Sequence, residues 1–274
     1  MNAASQAIGV FDSGVGGLTV LRALVTALPS ESWIYLGDTA RLPYGTKSAT
    51  TVQRYALRAA EVLVERGIKA LVVACNTASA AALPALRERF AHLPVIGVVE
   101  PGAAAAVAAS RTGHIAVIAT ESTVAGGAYA RAIAALKPDA QVQSLACQVF
   151  VALAEEGWIE GEAVLAAAHR YLDGWFATGA DHPDVLLLGC THFPVLAPVL
   201  SQVLGPRVSV VDASVSVAQA LRHALAERGL LAESGHPVAA PLLLATDGVA
   251  RFARVGATFL GHALAAEHVQ LVDL

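Results

Sequence analysis

The feature that most constrains this chain is a series of short apolar runs, continuous rather than alternating, separated by alanine-rich amphipathic stretches. Ala7–Phe11, Trp33–Leu36, Ala70–Ala74 and Val95–Val98 read as strands. So do His114–Ala119, Gln141–Leu145, Asp184–Leu188, Val208–Val211 and Pro241–Ala245. Helical stretches lie between them at Gly17–Leu28, Ala49–Arg66, Ser79–Phe90, Glu121–Leu136, Gly161–Thr178, Val215–Arg228 and Gly248–Phe259. A strand that is apolar on both faces has to be buried on both. A parallel sheet with helices packed on either side provides that burial. The fold class is therefore α/β.

Two segments resemble each other. Leu71-Val72-Val73-Ala74-Cys75-Asn76-Thr77 and Leu186-Leu187-Leu188-Gly189-Cys190-Thr191-His192 each run from an apolar strand through a small residue and a cysteine to polar groups and a helix start. This implies two similar lobes, each a mostly parallel sheet flanked by helices, with a cleft between the edges where ligands bind in such sheets. The boundaries are placed at Val99-Glu100-Pro101-Gly102, read as a Pro-Gly turn, and near Val210–Asp212. Residues 1–99 then form the first part of lobe A, 100–210 form lobe B, and 211–274 return to lobe A.

Composition removes several function classes. With 55% hydrophobic and 15% charged residues, the chain can bury a core and is not disordered. Its longest apolar runs fall short of the ~20 residues of a bilayer helix. The first residues lack a basic segment, so no signal peptide is expected. A net charge of −4 without a Lys/Arg run speaks against nucleic-acid binding. Three cysteines suit a reducing cytosol rather than a disulfide scaffold. The nine histidines show no metal-ligand spacing, so no metal is expected. Of the lysines, Lys69 and Lys137 read as surface residues and Lys47 has no phosphate cradle, which argues against a pyridoxal Schiff base. No Gly-x-Ser-x-Gly elbow is present.

Cys75 and Cys190 are the candidates for chemistry. Each is expected at a helix N-terminus, where the dipole and free N–H groups lower a thiol's pKa and hold a carboxylate. Two thiols facing across a cleft suit proton transfer on opposite faces of one carbon without a cofactor. Cys147 lacks that setting and reads as packing. Ile8–Thr19 is a strand, a polar pair and a Gly-rich turn leading into a helix. A dinucleotide fingerprint there fails at Thr19, where the third glycine would stand. Asp12 reads either as a group that orients a thiol or binds an ammonium, or as a helix cap. His192 reads as a tuner of the adjacent thiol. Leu42-Pro43-Tyr44-Gly45 reads as a turn carrying a phenol over the cleft.

These motifs together resemble the cofactor-independent glutamate racemases of the aspartate/glutamate racemase superfamily. The matching segments are Phe11–Leu18, Pro43–Ser48, Ala74–Ala78, Gly97–Gly102 and Leu188–His192, in the family's order. The resemblance implies that Cys190 takes the proton from L-glutamate and Cys75 from D-glutamate, with Asp12 assisting Cys75 and His192 assisting Cys190. It further implies a substrate site of Asp12, Ser13, Tyr44, Gly45, Asn76, Thr77, Thr120, Thr123, Thr191 and His192, and it matches Glu155 to a glutamate near the second lobe's site. No cofactor, a homodimer, a cytoplasmic enzyme and supply of D-glutamate for peptidoglycan and cell shape also follow from it. So does the absence of control by a cell-wall precursor, because almost nothing precedes the first strand. The chain departs from the family where two prolines are missing from Cys147–Leu153, and at Asp212-Ala213-Ser214. The readings set against this one are a related racemase acting on aspartate or another amino acid, a single-thiol hydrolase or transferase, and a binding protein on the same lobes.

Overall fold

The computed structural model describes residues 3–176, 182–233 and 239–274. Two all-parallel sheets carry the fold. The first contains β1 (Ile8–Asp12), β2 (Trp33–Gly37), β3 (Ala70–Val73), β4 (Val95–Gly97), β9 (Leu242–Ala245) and β10 (Val269–Leu271), in the order β10-β9-β2-β1-β3-β4. The second contains β5 (His114–Ala119), β6 (Gln141–Ala146), β7 (Val185–Gly189) and β8 (Ser209–Val211), in the order β6-β5-β7-β8. Within each set of four strands, the first lies between the second and the third. Strand order therefore reverses beside β1 in one sheet and beside β5 in the other, and ligands bind outside the carboxyl ends of strands at such a reversal.

Helices connect the strands. Around the first sheet are α1 (Leu18–Ala27), α2 (Ala49–Glu65) and α3 (Asn76–Arg89), and α4 (Val99–Ala109) leads into the second. There follow α5 (Glu121–Gly126), α6 (Ala128–Leu136), α7 (Gln148–Glu155), α8 (Glu162–Phe176) and α9 (Ala197–Leu204). The chain then returns to the first sheet through α10 (Ser214–Glu227) and α11 (Val249–Leu260). Alternate residues of the central strands face opposite cores. Ile8 and Val10 pack with α1, α10 and α11, and Phe11 packs with α2 and α3. Ala116 and Ile118 pack with α7 to α9, and Ile115 and Val117 with α4 and α6. At about 1.5–3 kcal/mol for each fully buried Val, Leu, Ile or Phe, these four layers dominate the stability.

The structure corrects several expectations. Val99–Gly102 is no turn but the first residues of α4, with Pro101 in its opening turn, where a missing N–H costs no hydrogen bond. The stretch Glu121–Leu136 is two helices, broken at Gly127, whose φ of 61° suits glycine. The helix expected from Ser79 begins at Asn76, and that earlier start makes Cys75 its cap. Helices α7 and α9 and strand β10 were not expected; each is short, and its apolar residues carry too few periods to register. Strand β6 is an edge strand and is largely exposed, so burial on both faces fails there. Thr178, the expected end of α8, lies outside the described residues.

Lys69 is the clearest correction. It is buried, not at the surface, and its Nζ lies 2.5 Å from Glu31. It also donates to the carbonyls of Ala4 and Leu230, while Glu31 accepts from Ala232 N. This buried pair ties the chain before β1 and the chain after α10 to the first sheet. Removing one partner of such a pair leaves an uncompensated charge. Lys69→Met is expected to lower unfolding stability by about 3–5 kcal/mol in urea denaturation, with much of the loss recovered in the Lys69→Met/Glu31→Leu double variant.

Candidate active site

The carboxyl edges of the two sheets face each other, and both candidate thiols lie there. Cys75 follows β3 by two residues and caps α3, where its sulfur accepts from Ala78 N at 3.4 Å and donates to Ser13 Oγ at 3.5 Å. Cys190 directly follows β7 and leads into a short 3-10 turn, so it does not cap an α-helix as expected. Both cysteines are buried, and both line one small cavity of about 40 Å³. Ser13, Tyr44, Gly45, Asn76 and Thr77 line it from the first sheet's side. Thr120, Glu155, Thr191 and His192 line it from the second sheet's side. Roomier surface grooves of about 460 and 520 Å³ flank the Arg87–Glu100 ion pair but hold neither thiol.

Asp12 and Thr123 stand one layer behind this wall. Asp12 ends β1, is fully buried and accepts from Gly14 N at 2.8 Å. It does not cap α1, whose cap position is Gly17. Burial pushes the Asp12 carboxyl up, against the opposing pull of His192 and the neighbouring backbone N–H groups. Thr123 closes a hydroxyl triad with Thr77 and Thr120, at separations of 2.9 to 3.1 Å. The triad joins α3 of the first lobe to α5 of the second. Asn76 is fixed by the Tyr129 hydroxyl at 2.5 Å, and Tyr44 donates to Asp38 at 2.6 Å. The turn that was expected to carry this phenol over the cleft thus brings Tyr44 to the cavity wall, with its hydroxyl tied to Asp38.

His192 joins Cys190 to Glu155 within the second lobe. Its Nδ1 lies 3.8 Å from Cys190 Sγ, and its Nε2 lies 3.1 Å from Glu155 Oε1. Burial pulls this imidazole down, yet the hydrogen bonds to Cys190 and Glu155 outweigh it and raise its pKa to about 10. The hydrogen bond from His192 holds the Glu155 carboxyl below the usual range. The thiol expectation fails for Cys75. Burial and the charge of Asp12 raise it to about 12, outweighing the cap hydrogen bonds. Cys147, buried at the start of α7, is likewise pushed up to about 12 by burial.

The Gly-rich turn serves a purpose other than closeness to a ligand. A Cβ on Gly16 would lie 2.5 Å from Thr191 Oγ1 and 2.6 Å from His192 Nδ1. Thr19 adds a bond from its hydroxyl to the Thr191 carbonyl at 3.3 Å. The turn is thus the seat on which the first lobe receives the Cys190–His192 segment, and only a missing side chain permits that approach. Sequence reasoning missed Tyr35, Tyr129, Gln148, which also lines the cavity, and Arg251, which donates to Glu155 Oε2. Tyr35, buried between the Gly14 carbonyl and Phe252, offered no local signal; neither did Arg251 on α11. Among the described residues, no group of three or more His, Cys, Asp or Glu is gathered as a metal site, and no helix is long and apolar enough to cross a membrane.

Comparison with known proteins identifies similar chains and folds. The family described as Asp/Glu/Hydantoin racemase matches residues 8–221. A glutamate racemase of Geobacter metallireducens is 48% identical over 259 residues, covering 93% of each chain. The crystal structure of glutamate racemase from Francisella tularensis in complex with D-glutamate superposes with a TM-score of 0.89 at 36% identity, over 98% of both chains. That of the Thermus thermophilus glutamate racemase with β-chloro-D-alanine gives 0.86 at 41% identity, over 99% of this chain and 98% of that one.

Thiolate is the form that alkylates. With the Cys75 pKa raised to about 12, its labelling by iodoacetamide, followed by peptide mass spectrometry, is expected to keep rising through pH 10. A plateau below pH 9 would contradict the dominance of burial over the helix dipole at this thiol.

Proposed function

This chain belongs to the Asp/Glu/hydantoin racemase family, and from that premise we propose that it interconverts L- and D-glutamate by passing the α-proton between Cys75 and Cys190. It is an amino-acid racemase, an isomerase. The observation that carries the reading is the pair of buried cysteines lining one cavity from two different sheets. A single-thiol hydrolase would leave the second cysteine without a purpose.

The α-hydrogen of an amino acid is only weakly acidic, so the site has to stabilise the charge that develops as it leaves. In the L-to-D direction Cys190 acts as thiolate, with the His192 imidazolium as its counter-charge. The α C–H bond breaks as an S–H bond forms at Cys190, and the electron pair passes into the carboxylate. Cys75 then gives its proton to the opposite face and is left as the thiolate. Its raised pKa keeps Cys75 protonated until that moment. The reverse reaction runs the same steps from Cys75. The N–H groups that open α3 at Asn76 and Thr77, with Ser13 and Thr191, would hold the α-carboxylate. Asp12, whose charge acts on Cys75 from behind the cavity wall, would attract the ammonium group. The Thr77–Thr120–Thr123 hydroxyls, Gly45 and Tyr44 would form the far wall of the substrate site.

A cavity of about 40 Å³ is too small for glutamate. The two lobes, divided as 1–99 with 211–274 against 100–210, would therefore part to admit substrate and close to exclude water. The division is supported by the way the two sheets draw on the chain. A homodimer, a cytoplasmic setting and supply of D-glutamate to peptidoglycan accord with the family and complete the proposal.

Proton NMR in D2O without added cofactor tests the substrate and the thiols together. The α-proton signal of L-glutamate is expected to vanish as D-glutamate accumulates. Cys75→Ala is expected to lose racemisation in both directions by at least about 10³-fold. Wild-type-like turnover in that variant would refute two-base transfer, and absence of exchange from either enantiomer in folded, reduced protein would refute glutamate as substrate.

A further inference from the structure

We infer that Arg251 is a positioning residue for the Cys190 half of the reaction, acting through Glu155 and His192 from the opposite lobe. The inference rests on the two-thiol reading above.

The Glu155 carboxylate is shared between two partners. Its Oε1 accepts from His192 Nε2 at 3.1 Å, and its Oε2 accepts from Arg251 Nη2 at 3.0 Å. Arg251 lies in the first turn of α11, on the lobe that carries Cys75, while Glu155, His192 and Cys190 belong to the other lobe. The same helix reaches His192 a second time, through the edge of Phe259, whose ring centroid is 5.1 Å from the imidazole. Helix α11 therefore touches the Cys190 machinery at two points, and both contacts cross the cleft.

Arg251 is poorly placed for its own helix. A cation in the first turn opposes the macrodipole, and that turn of α11 contains no acidic residue. The Arg251 side chain is half exposed, and ion pairs so exposed add little stability. Neither helix propensity nor stability accounts for it. Orientation does. The last torsion of a glutamate side chain is soft and roughly two-fold. A second hydrogen bond on Oε2 fixes that torsion and leaves Oε1 aimed at Nε2. The imidazole is in turn aimed at Cys190, and the bond forms only when the lobes are together. Glu155 thus reports closure of the cleft to His192.

The charged and titratable groups that face His192 are Cys190, Glu155 and, from β1, Asp12; Arg251 reaches it only through Glu155. This gives a readout with a diagnostic sign. Removing a cation by itself raises the proton affinity of a nearby histidine. Loosening the carboxylate that accepts from Nε2 lowers it.

The test compares Arg251→Gln with Arg251→Lys and with Arg254→Gln, which removes the same charge one turn further along α11. Glutamate racemisation is measured in both directions, and His192 is titrated by NMR, its signal assigned by loss in His192→Gln. Arg251→Gln is expected to lower kcat roughly tenfold with KM within about twofold. Arg251→Lys, which still offers an N–H to Oε2, should recover most of that loss, and Arg254→Gln should match the wild type. The His192 midpoint should fall by about one pH unit in Arg251→Gln. A midpoint that stays or rises, or an Arg254→Gln variant as slow as Arg251→Gln, overturns the inference. If the wild type itself fails to racemise glutamate, the functional reading falls, and the titration still decides the role of Arg251.

Discussion

Cys75 and Cys190 are buried where two lobes, each folded around its own layers, meet, and the rest of the site depends on that burial. Neither lobe encloses the thiols alone. Cys75 sits at the edge of one sheet and Cys190 at the edge of the other. Gly16 lets the first lobe seat His192, the threonine triad ties α3 to α5, and Arg251 ties α11 to α7. Each is a contact between lobes, and each reaches a residue that lines the cavity. In a low-dielectric cleft such contacts act more strongly than they would in water.

The two halves of the cleft reach their chemistry by different means. On the Cys75 side, burial and a buried carboxylate hold the thiol protonated. On the Cys190 side, an imidazole shares hydrogen bonds with the sulfur and with Glu155, and its own proton affinity is raised. Both surroundings therefore hold a proton in place, on the Cys75 thiol on one side and on the His192 imidazole on the other. In the proposed L-to-D direction Cys75 is thereby ready as the proton donor, and the His192 imidazolium is in place as counter-charge to the base on the other face. Turnover then has to exchange those roles, which accords with a reaction that runs in both directions.

What could be read from the sequence follows the range of each interaction. The α/β class and most strands were legible because continuous apolar runs report burial directly. Cys75 and Cys190 stood out because a reactive residue type recurred at the same place after two such strands. The pKa of Cys75 was misjudged because a helix dipole is local and visible in sequence, whereas desolvation depends on what packs above the thiol. Lys69 was misread for the same reason, since its partner Glu31 lies in a different loop. The glycines before α1 were legible as a turn, but not the other lobe's Thr191 and His192, whose close approach Gly16 permits. Glu155 was reachable only through the family resemblance. Arg251, separated from Glu155 by 96 residues and on an exposed helix face, carried no local mark at all.

The central claim is that two thiols act on opposite faces of one α-carbon. Its most direct test is the isotopic fate of the two enantiomers at early times. Protiated L-glutamate is turned over in D2O, stopped after a few per cent conversion, and the enantiomers are separated and weighed by mass spectrometry. Two opposed bases require that the D-glutamate formed carries one solvent deuterium while the recovered L-glutamate is still protiated. D-glutamate that retains the substrate's own protium would show a single base serving both faces and would contradict the account.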